Sequence, residues 1–331
     1  MSTFDAIDAL DQRIIAALLR DGRASWRRIA GVIGEPERRV ARRGSRLIDA
    51  GAVRIHAQGN PRNRDAGEAT LLRVGCLPRS SAALAEHMAG DARTLWVSVL
   101  AGPNEVAGEY LHSHDELADI IAELAGLDDV TAIDARPELR FYRTVGGWSP
   151  GILDEDELRA LHLPTDALPS ASEYTAPDEA TRRIIAALGD DGRARIEDIA
   201  DAVGLSTSTV SRRIERAVSL DQVSIRAVVD PALLGFPVET VVGVTAAHSS
   251  VEQVGYHLAR QSCARWVIDD GSRLIAQFAH ADRDSLHASL RELRTHAGVA
   301  AIDVSPVIRA AKRGGVRYRE GEPEQPSATT A

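Results

Sequence analysis

The sequence predicts an α+β chain in which two winged helix-turn-helix domains alternate with two ferredoxin-like βαββαβ modules. Three observations carry this. Residues 182–216 have the pattern of a helix-turn-helix, a copy of that pattern lies 170 residues earlier, and a strand–helix–strand–strand–helix–strand alternation follows each copy. The predicted boundaries are helix-turn-helix domains at 1–58 and 178–230, ferredoxin-like modules at 68–144 and 236–313, a connector at 145–177 and a disordered tail at 314–331.

The pattern is clearest in the second copy. Ile184, Ile185 and Leu188 mark an amphipathic helix that the DDGR turn at 190–193 ends. Ile196, Ile199 and Val203 mark a second, short helix closed by Gly204, a residue suited to the left-handed position after a helix. Ser206 is placed to cap the third helix, and Leu205 with Val210 to staple it. At helical spacing Val210, Ile214, Ala217 and Val218 share one face, while Ser208, Thr209, Arg212 and Arg216 share the opposite one. Guanidinium groups and short hydroxyls suit phosphates and base edges. A solvated surface helix carries similar charges; the tight Gly-containing turn before this one favours DNA. The candidates for DNA contact here are Ser206, Thr207, Ser208, Thr209, Arg212, Arg213 and Arg216.

Displacement by 170 places Arg13-Ile14-Ile15-Ala16-Ala17-Leu18 on Arg183-Ile184-Ile185-Ala186-Ala187-Leu188, and Asp21-Gly22-Arg23-Ala24 on Asp191-Gly192-Arg193-Ala194. Trp96-Val97 still falls on Trp266-Val267, and by Ala132-Ile133-Asp134 against Ala301-Ile302-Asp303 the displacement has slipped to 169. One residue of slippage over a whole repeat marks a tandem duplication of a unit of about 140 residues. In the first copy Ser25 is placed to cap the second helix, and Val40, Leu47 and Ile48 form the inner face of the third. Arg38, Arg39, Arg42 and Arg46 face outward, and Arg43 joins them as a candidate for DNA contact. Pro36 replaces the capping Ser206, and Gly44 stands where Ile214 packs, which removes a core side chain and lowers helix propensity by about 1 kcal/mol. This copy reads as less well built but more basic, fitted to anchoring phosphates. Val53-Arg54-Ile55 and Val223-Ser224-Ile225 then read as wings or as connecting strands.

The ferredoxin-like modules follow from alternating apolar runs. In the first, strands are expected near 71–76, 95–100, 106–111 and 130–134, with helices near 81–88 and 115–124. In the second, strands fall near 238–246, 265–269, 274–279 and 300–304, with helices near 251–261 and 284–296. Helices on one side leave the other sheet face bare, and two such modules could cover each other. The connector is rich in Pro, Gly and Ser with one helical pattern, LDEDELRAL, at 153–161, and the tail lacks apolar periodicity.

Bulk properties set the class. The 331 residues, 44% hydrophobic and 26% charged, describe a globular protein of two to four domains. Neither a signal peptide nor an apolar run long enough to cross a membrane is visible, so a cytoplasmic location is expected. Cys76 and Cys263 fit neither a disulfide framework nor a zinc site and read as buried, reduced thiols. The net charge is −9, but residues 36–64 carry eight arginines against two acids. Lys312 is the chain's only lysine.

RRIIAALGDDGRARIEDIADAVGLSTSTVSRRIER at 182–216, VVDPALLGFP at 228–237 and LDQRIIAALLRDGRAS at 10–25 carry a resemblance to the Lrp/AsnC family of feast/famine regulators, whose sensing unit is the RAM module. The resemblance implies DNA binding by paired recognition helices, an amino-acid-like effector between sensing modules, and self-association through those modules to a dimer or higher. The family carries a Gly–Asp signature in the hairpin between the module's second and third strands. Here the loops read Ala101-Gly102-Pro103-Asn104-Glu105 and Asp270-Gly271-Ser272-Arg273, each with a glycine and neither with the aspartate at its usual place. Gly102, Asn104, Glu105, Gly271 and Ser272 are the effector candidates that follow from the resemblance, and a hairpin glycine without a ligand is the plainer reading.

Siroheme decarboxylases resemble the same family. A carboxylate-rich tetrapyrrole would call for cationic and imidazole groups, for which His112, His280 and His114 are candidates; a histidine at a strand end is ordinarily solvated. Outward arginines do not serve such a site, and no Ser/His/Asp set, phosphate loop or metal-ligand cluster is visible. The expectation is therefore a DNA-binding transcriptional regulator, not an enzyme, with no cofactor or metal.

Overall fold

A computed structural model describes residues 7–60, 67–102, 104–161, 175–189, 191–319 and 322–324. The first repeat opens with α1 (Ala9–Arg20), α2 (Trp26–Ile33), α3 (Glu37–Asp49) and β1 (Arg54–Gly59). It continues with β2 (Glu68–Cys76), α4 (Ser81–Gly90), β3 (Thr94–Leu100), β4 (Glu105–His112), α5 (Glu116–Ala125), β5 (Val130–Pro137) and β6 (Arg140–Arg143). The connector holds α6 (Glu155–Leu161). The second repeat has α7 (Glu179–Leu188), α8 (Ile196–Val203), α9 (Thr207–Ser219) and β7 (Val223–Val228), then β8 (Val238–Ala246), α10 (Val251–Arg260), β9 (Ala264–Asp269), β10 (Leu274–His280), α11 (Arg283–Thr295), β11 (Val299–Arg313) and β12 (Val316–Arg319). The described elements gather into two compact units: 7–60, 151–161, 175–189, 191–229 and 322–324 in one, 67–102, 104–150 and 230–319 in the other.

In the first unit each helix-turn-helix is capped much as its sequence demands. Asp8 and Asp178 cap α1 and α7, Ser25 caps α2, Ser206 caps α9, and Gly34 and Gly204 close α2 and α8 at φ 69 and 70. Ile14, Ile15, Leu18, Ile29, Ile33, Val40 and Leu47 make the first core; Ile184, Leu188, Ile199, Val203, Val210, Ile214 and Ala217 make the second. Gly44 is not the defect expected. A Cβ there would stand 2.4 Å from the Trp26 ring, so the indole takes the space that Ile214 fills in the other copy.

The strands after α3 and α9 pair with each other: β1 and β7 run antiparallel from Arg54 opposite Val228 to Gly59 opposite Val223. The repeated Asp-Gly-Arg-Ala turn explains how the copies interlock. Gly22 N–H donates to Ile225 and Gly192 N–H to Ile55, with no room for a Cβ at either glycine. Arg23 donates to the carbonyls of Gly192 and Ala194, and Arg193 to those of Gly22 and Ala24. The connector helix α6 lies on the first copy, where Glu157 pairs with Arg13, the Ala160 carbonyl accepts from Arg28, and Leu161 is buried.

In the second unit, β5-β2-β4-β3 and β11-β8-β10-β9 are two antiparallel sheets of ferredoxin-like order. Leu84, Met88, Ile120 and Leu124 from α4 and α5 cover one side of the first sheet, and Val254, Leu258, Leu290 and Leu293 from α10 and α11 one side of the second. The bare faces meet, as the unpartnered apolar surface requires. Leu71, Trp96, Leu100 and Ala107 pack with Val241, Trp266, Ile268 and Ile275, and the two indoles stack at 5.3 Å between centroids.

The modules also exchange strands. β11 pairs with β8 through Pro306 and then with β3 through Lys312, while β6 leaves the first module to pair with β9. A basic side chain locks each crossing. Lys312 Nζ donates to the Asp91 carbonyl at 2.7 Å and Thr94 Oγ1 at 3.0 Å, and Arg143 donates to the Gln261 and Ala264 carbonyls at 2.8 Å. The tail departs from the expectation of disorder. Gly314 and Gly315, both at positive φ (52 and 84), turn the chain into β12 against β11, where Tyr318 is buried. Residues 320–321 and 325–331 of the expected tail lie outside the described residues.

Candidate nucleic-acid interface

The outward faces of α3 and α9 are built alike, because the same register buries Val40 and Leu47 in one and Val210, Ile214 and Ala217 in the other. On α3, Arg38 and Arg42 are exposed and have no ion-pair partner among the described residues, whereas Arg39 pairs with Glu35 at 3.0 Å. On α9, Arg212 and Arg216 are exposed and equally unpaired, and Thr207 and Ser208 are exposed at the first turn. Ser206 Oγ accepts from Thr209 N–H and lies 3.2 Å from Ser208 Oγ and 2.8 Å from Thr209 Oγ1. The three hydroxyls thus form one chain at the helix start.

Arg43 and Arg213 do not join that outward set. Arg43 is half-buried against Asp8 at 2.7 Å and Asp11 at 3.0 Å; Arg213 holds Asp178 at 2.7 Å and Thr181 Oγ1 at 2.8 Å. Arg46, though exposed, reaches back to the buried Asp11 at 2.8 Å. These arginines flank the core stripe, and their long side chains bend toward the N-terminus of the first helix in their own domain. The repeat register carried the signal, since it aligns Asp8 with Asp178 as well as Arg43 with Arg213. The pairing holds the Asp178 carboxyl well below the usual range, chiefly through the Arg213 hydrogen bond. Asp8 is lowered too, first by the Asp11 N–H and then by Arg43.

The hairpin residues are engaged within their own modules. Gly102 has φ 129 and Asn104 φ 56; the Asn104 carbonyl accepts from Cys76 N–H, and Glu105 is buried in an ion pair with Arg73. Gly271 has φ 86 and its N–H donates to Asp269 at 2.8 Å, while the Ser272 N–H and hydroxyl converge on Asp270 Oδ1 at 2.7 Å.

His112 and His280 depart from the expectation of solvated strand ends. His112 is fully buried, its Nε2 2.8 Å from Thr70 Oγ1 and its Nδ1 2.8 Å from the Ser113 carbonyl. His280 is buried with Nε2 3.0 Å from Ser289 Oγ, and burial lowers its pKa. His114 is exposed and pairs with Glu68 at 3.0 Å. Each ring is held inside its own module. Among the described residues no helix is long and apolar enough to cross a membrane.

The model of the AsnC-type helix-turn-helix domain matches this chain twice, at residues 7–48 and 178–217. None of the curated proteins matches it. Among solved structures, the siroheme decarboxylase NirDL, in co-complex with an iron-uroporphyrin III analogue, covers 94% of each chain at 12% identity with a TM-score of 0.61. AsnC of E. coli covers 41% of this chain and 94% of its own at 18% identity and a TM-score of 0.37. The leucine response regulatory protein LrpA of Mycobacterium tuberculosis covers 40% and 93% at 22% identity and 0.37. The whole-chain likeness corrects one expectation from the sequence, that the architecture belongs to a protein that is not an enzyme. An enzyme has the same plan from end to end, and the plan by itself does not separate the two classes.

Proposed function

We propose that this chain, which belongs to the Lrp/AsnC family in tandem-duplicated form, is a sequence-selective DNA-binding transcriptional regulator in which one chain does what two copies of a single-unit relative do. The observation that supports it most is the pair of AsnC-type domains, joined through β1 and β7, whose third helices each hold, on their outer faces, arginines with no ion-pair partner among the described residues. Because the two outer faces differ, the preferred DNA is an imperfect or asymmetric repeat. Arg212 and Arg216, with Thr207 and Ser208, read bases or the adjacent phosphates; Ser206 and Thr209 hold the helix start. Arg38, Arg39 and Arg42 anchor phosphates. Arg43, Arg46 and Arg213 act mainly by fixing the third helix to the first, which narrows the part given to them from sequence. An amino-acid-like effector and self-association to a dimer or higher enter this reading through the family likeness.

A second reading, a tetrapyrrole decarboxylase, is favoured by the whole-chain fold likeness. The test is a salt titration of the purified chain on the DNA upstream of its own gene, with an absorbance spectrum of the same sample. Tight, salt-sensitive, selective binding by a colourless protein is the expected result. No preference over random duplex, together with tetrapyrrole absorption or uptake of siroheme, overturns it in favour of the enzyme. Arg42→Ala should weaken binding evenly across sequences and lower the salt slope by about 1, whereas Arg212→Ala should relax preference at one position by about 1–3 kcal/mol.

A further inference from the structure

We propose that Glu215 is a specificity-determining residue of the second recognition helix, accepting a hydrogen bond from the exocyclic amine of a cytosine in the major groove; this rests on the DNA-binding reading above. Ser208, Arg212, Glu215 and Ser219 fall at i, i+4, i+7 and i+11, one stripe along α9 opposite the buried Val210, Ile214 and Ala217. Glu215 is exposed, and among the described residues its carboxylate has no hydrogen-bond or ion-pair partner, although Arg212 lies three residues before it and Arg216 directly after.

A carboxylate on a face that approaches phosphates works against affinity. Removing phosphates from contact lowers the electrostatic part of binding, which is blind to sequence. What a carboxylate adds in the major groove is discrimination: it accepts from the cytosine amine and meets only acceptors on guanine. Negative charge also penalises wrong sites, where its lone pairs find no donor. The first copy supplies the contrast. The equivalent stripe on α3 is Arg38, Arg42, Ser45 and Asp49, so a serine stands in place of Glu215 and an arginine in place of Ser208. Along this stripe α3 holds two arginines, Arg38 and Arg42, and no acid at the Glu215 position, whereas α9 holds one arginine, Arg212, together with the acid. That division fits anchoring by α3 and reading by α9.

The experiment is selection of bound duplexes from a random pool by the full chain, followed by titration of the selected duplex and a random one. Wild type should select a C·G pair at one position of one half-site. Glu215→Ala, on an exposed helical position that alanine favours, should lose that preference. It should bind the random duplex more tightly and the selected one less tightly, so that their affinity ratio falls about ten-fold. Ser45→Glu should bring a C·G preference into the other half-site. Equal tightening on both duplexes by Glu215→Ala, or a selected C·G pair indifferent to it, overturns the assignment while leaving DNA reading intact. A wild type that selects no sequence removes the reading itself, and Glu215's role with it.

Discussion

Replacing Arg193 with alanine should loosen the two helix-turn-helix domains from each other. Its guanidinium donates from Nη1 to Gly22 O at 2.9 Å and Ala24 O at 3.2 Å and from Nη2 to Ala24 O at 3.2 Å, and it lies 4.3 Å over the Trp26 ring. Hydrogen bonds from a charged donor are worth about 1.5–3 kcal/mol each when dry. Because Arg193 is half-buried, the two carbonyls regain some water, and we discount the two together to about 2 kcal/mol. The ring contact adds about 0.5–1. The sum is about 3 kcal/mol, or about a hundred-fold. The readout is hydrogen exchange of the β1 and β7 amides, together with those of Gly22 and Gly192, under conditions where the rate reports the opening free energy. Those amides should exchange about a hundred times faster in Arg193→Ala, and the effect should be confined to the first unit. Arg23→Ala should act in the same direction but less, because Arg23 donates to Gly192 and Ala194 without an indole beneath it. Exchange within three-fold of wild type, or a larger effect from Arg23 than from Arg193, would refute the reasoning that these reciprocal bonds hold the pair together.

Gly44→Ile copies the second repeat into the first and forces a side chain into the Trp26 ring; a loss of about 3 kcal/mol is expected in thermal melts. Adding Trp26→Ile, which recreates the Ile196 and Ile214 pair, should restore at least half, and a double variant no better than the single one sinks the volume-exchange argument. Lys312 has its pKa lowered to about 8 by burial. An unfolded lysine keeps its proton to above pH 10, so between these values the unfolded chain binds more protons and stability rises with pH. In urea titrations the stability of wild type relative to Lys312→Met should climb from pH 8 to pH 10 by up to about 3 kcal/mol; a flat difference shows that Lys312 does not titrate in this window. Asp178→Ala removes the α7 cap and frees Arg213, at about 1–2 kcal/mol of stability and with a salt slope on DNA higher by about 1. Since the Asp178 carboxyl is held low in the folded state, its stabilisation is present above about pH 4 and fades as pH falls further. A variant as stable as wild type at pH 7 with an unchanged slope would contradict both parts.

Local patterns in the sequence determined the elements and their order. Capping residues, left-handed glycines and a 3.6-residue apolar period act over one or two turns, so Ser206, Gly204 and the Val210, Ile214, Ala217 stripe were legible without any partner. The duplication was legible for a different reason, because two copies of one sequence need no structure to be compared. It left open that two bare sheet faces could cover each other, and the stacked Trp96 and Trp266 lie where they do.

Everything that joins residues distant in sequence waited for the tertiary structure. Arg43 and Arg213 have the spacing of a DNA-facing residue, and only the packing of the third helix on the first turns them onto Asp8 and Asp178. Gly44 read as a missing side chain until Trp26 was seen to fill its place. His112 and His280 sit where strand ends are usually wet, but His112 is buried against Thr70 of the neighbouring strand and His280 against Ser289 of α11. The exchange of β6 and β11 between modules, the Lys312 and Arg143 locks, and the hairpin at Gly314 and Gly315 depend on which edges stand unpaired. Sequence periodicity records which face of an element is apolar; it does not record what comes to lie against that face, because partner choice depends on the free energy of the whole assembled core.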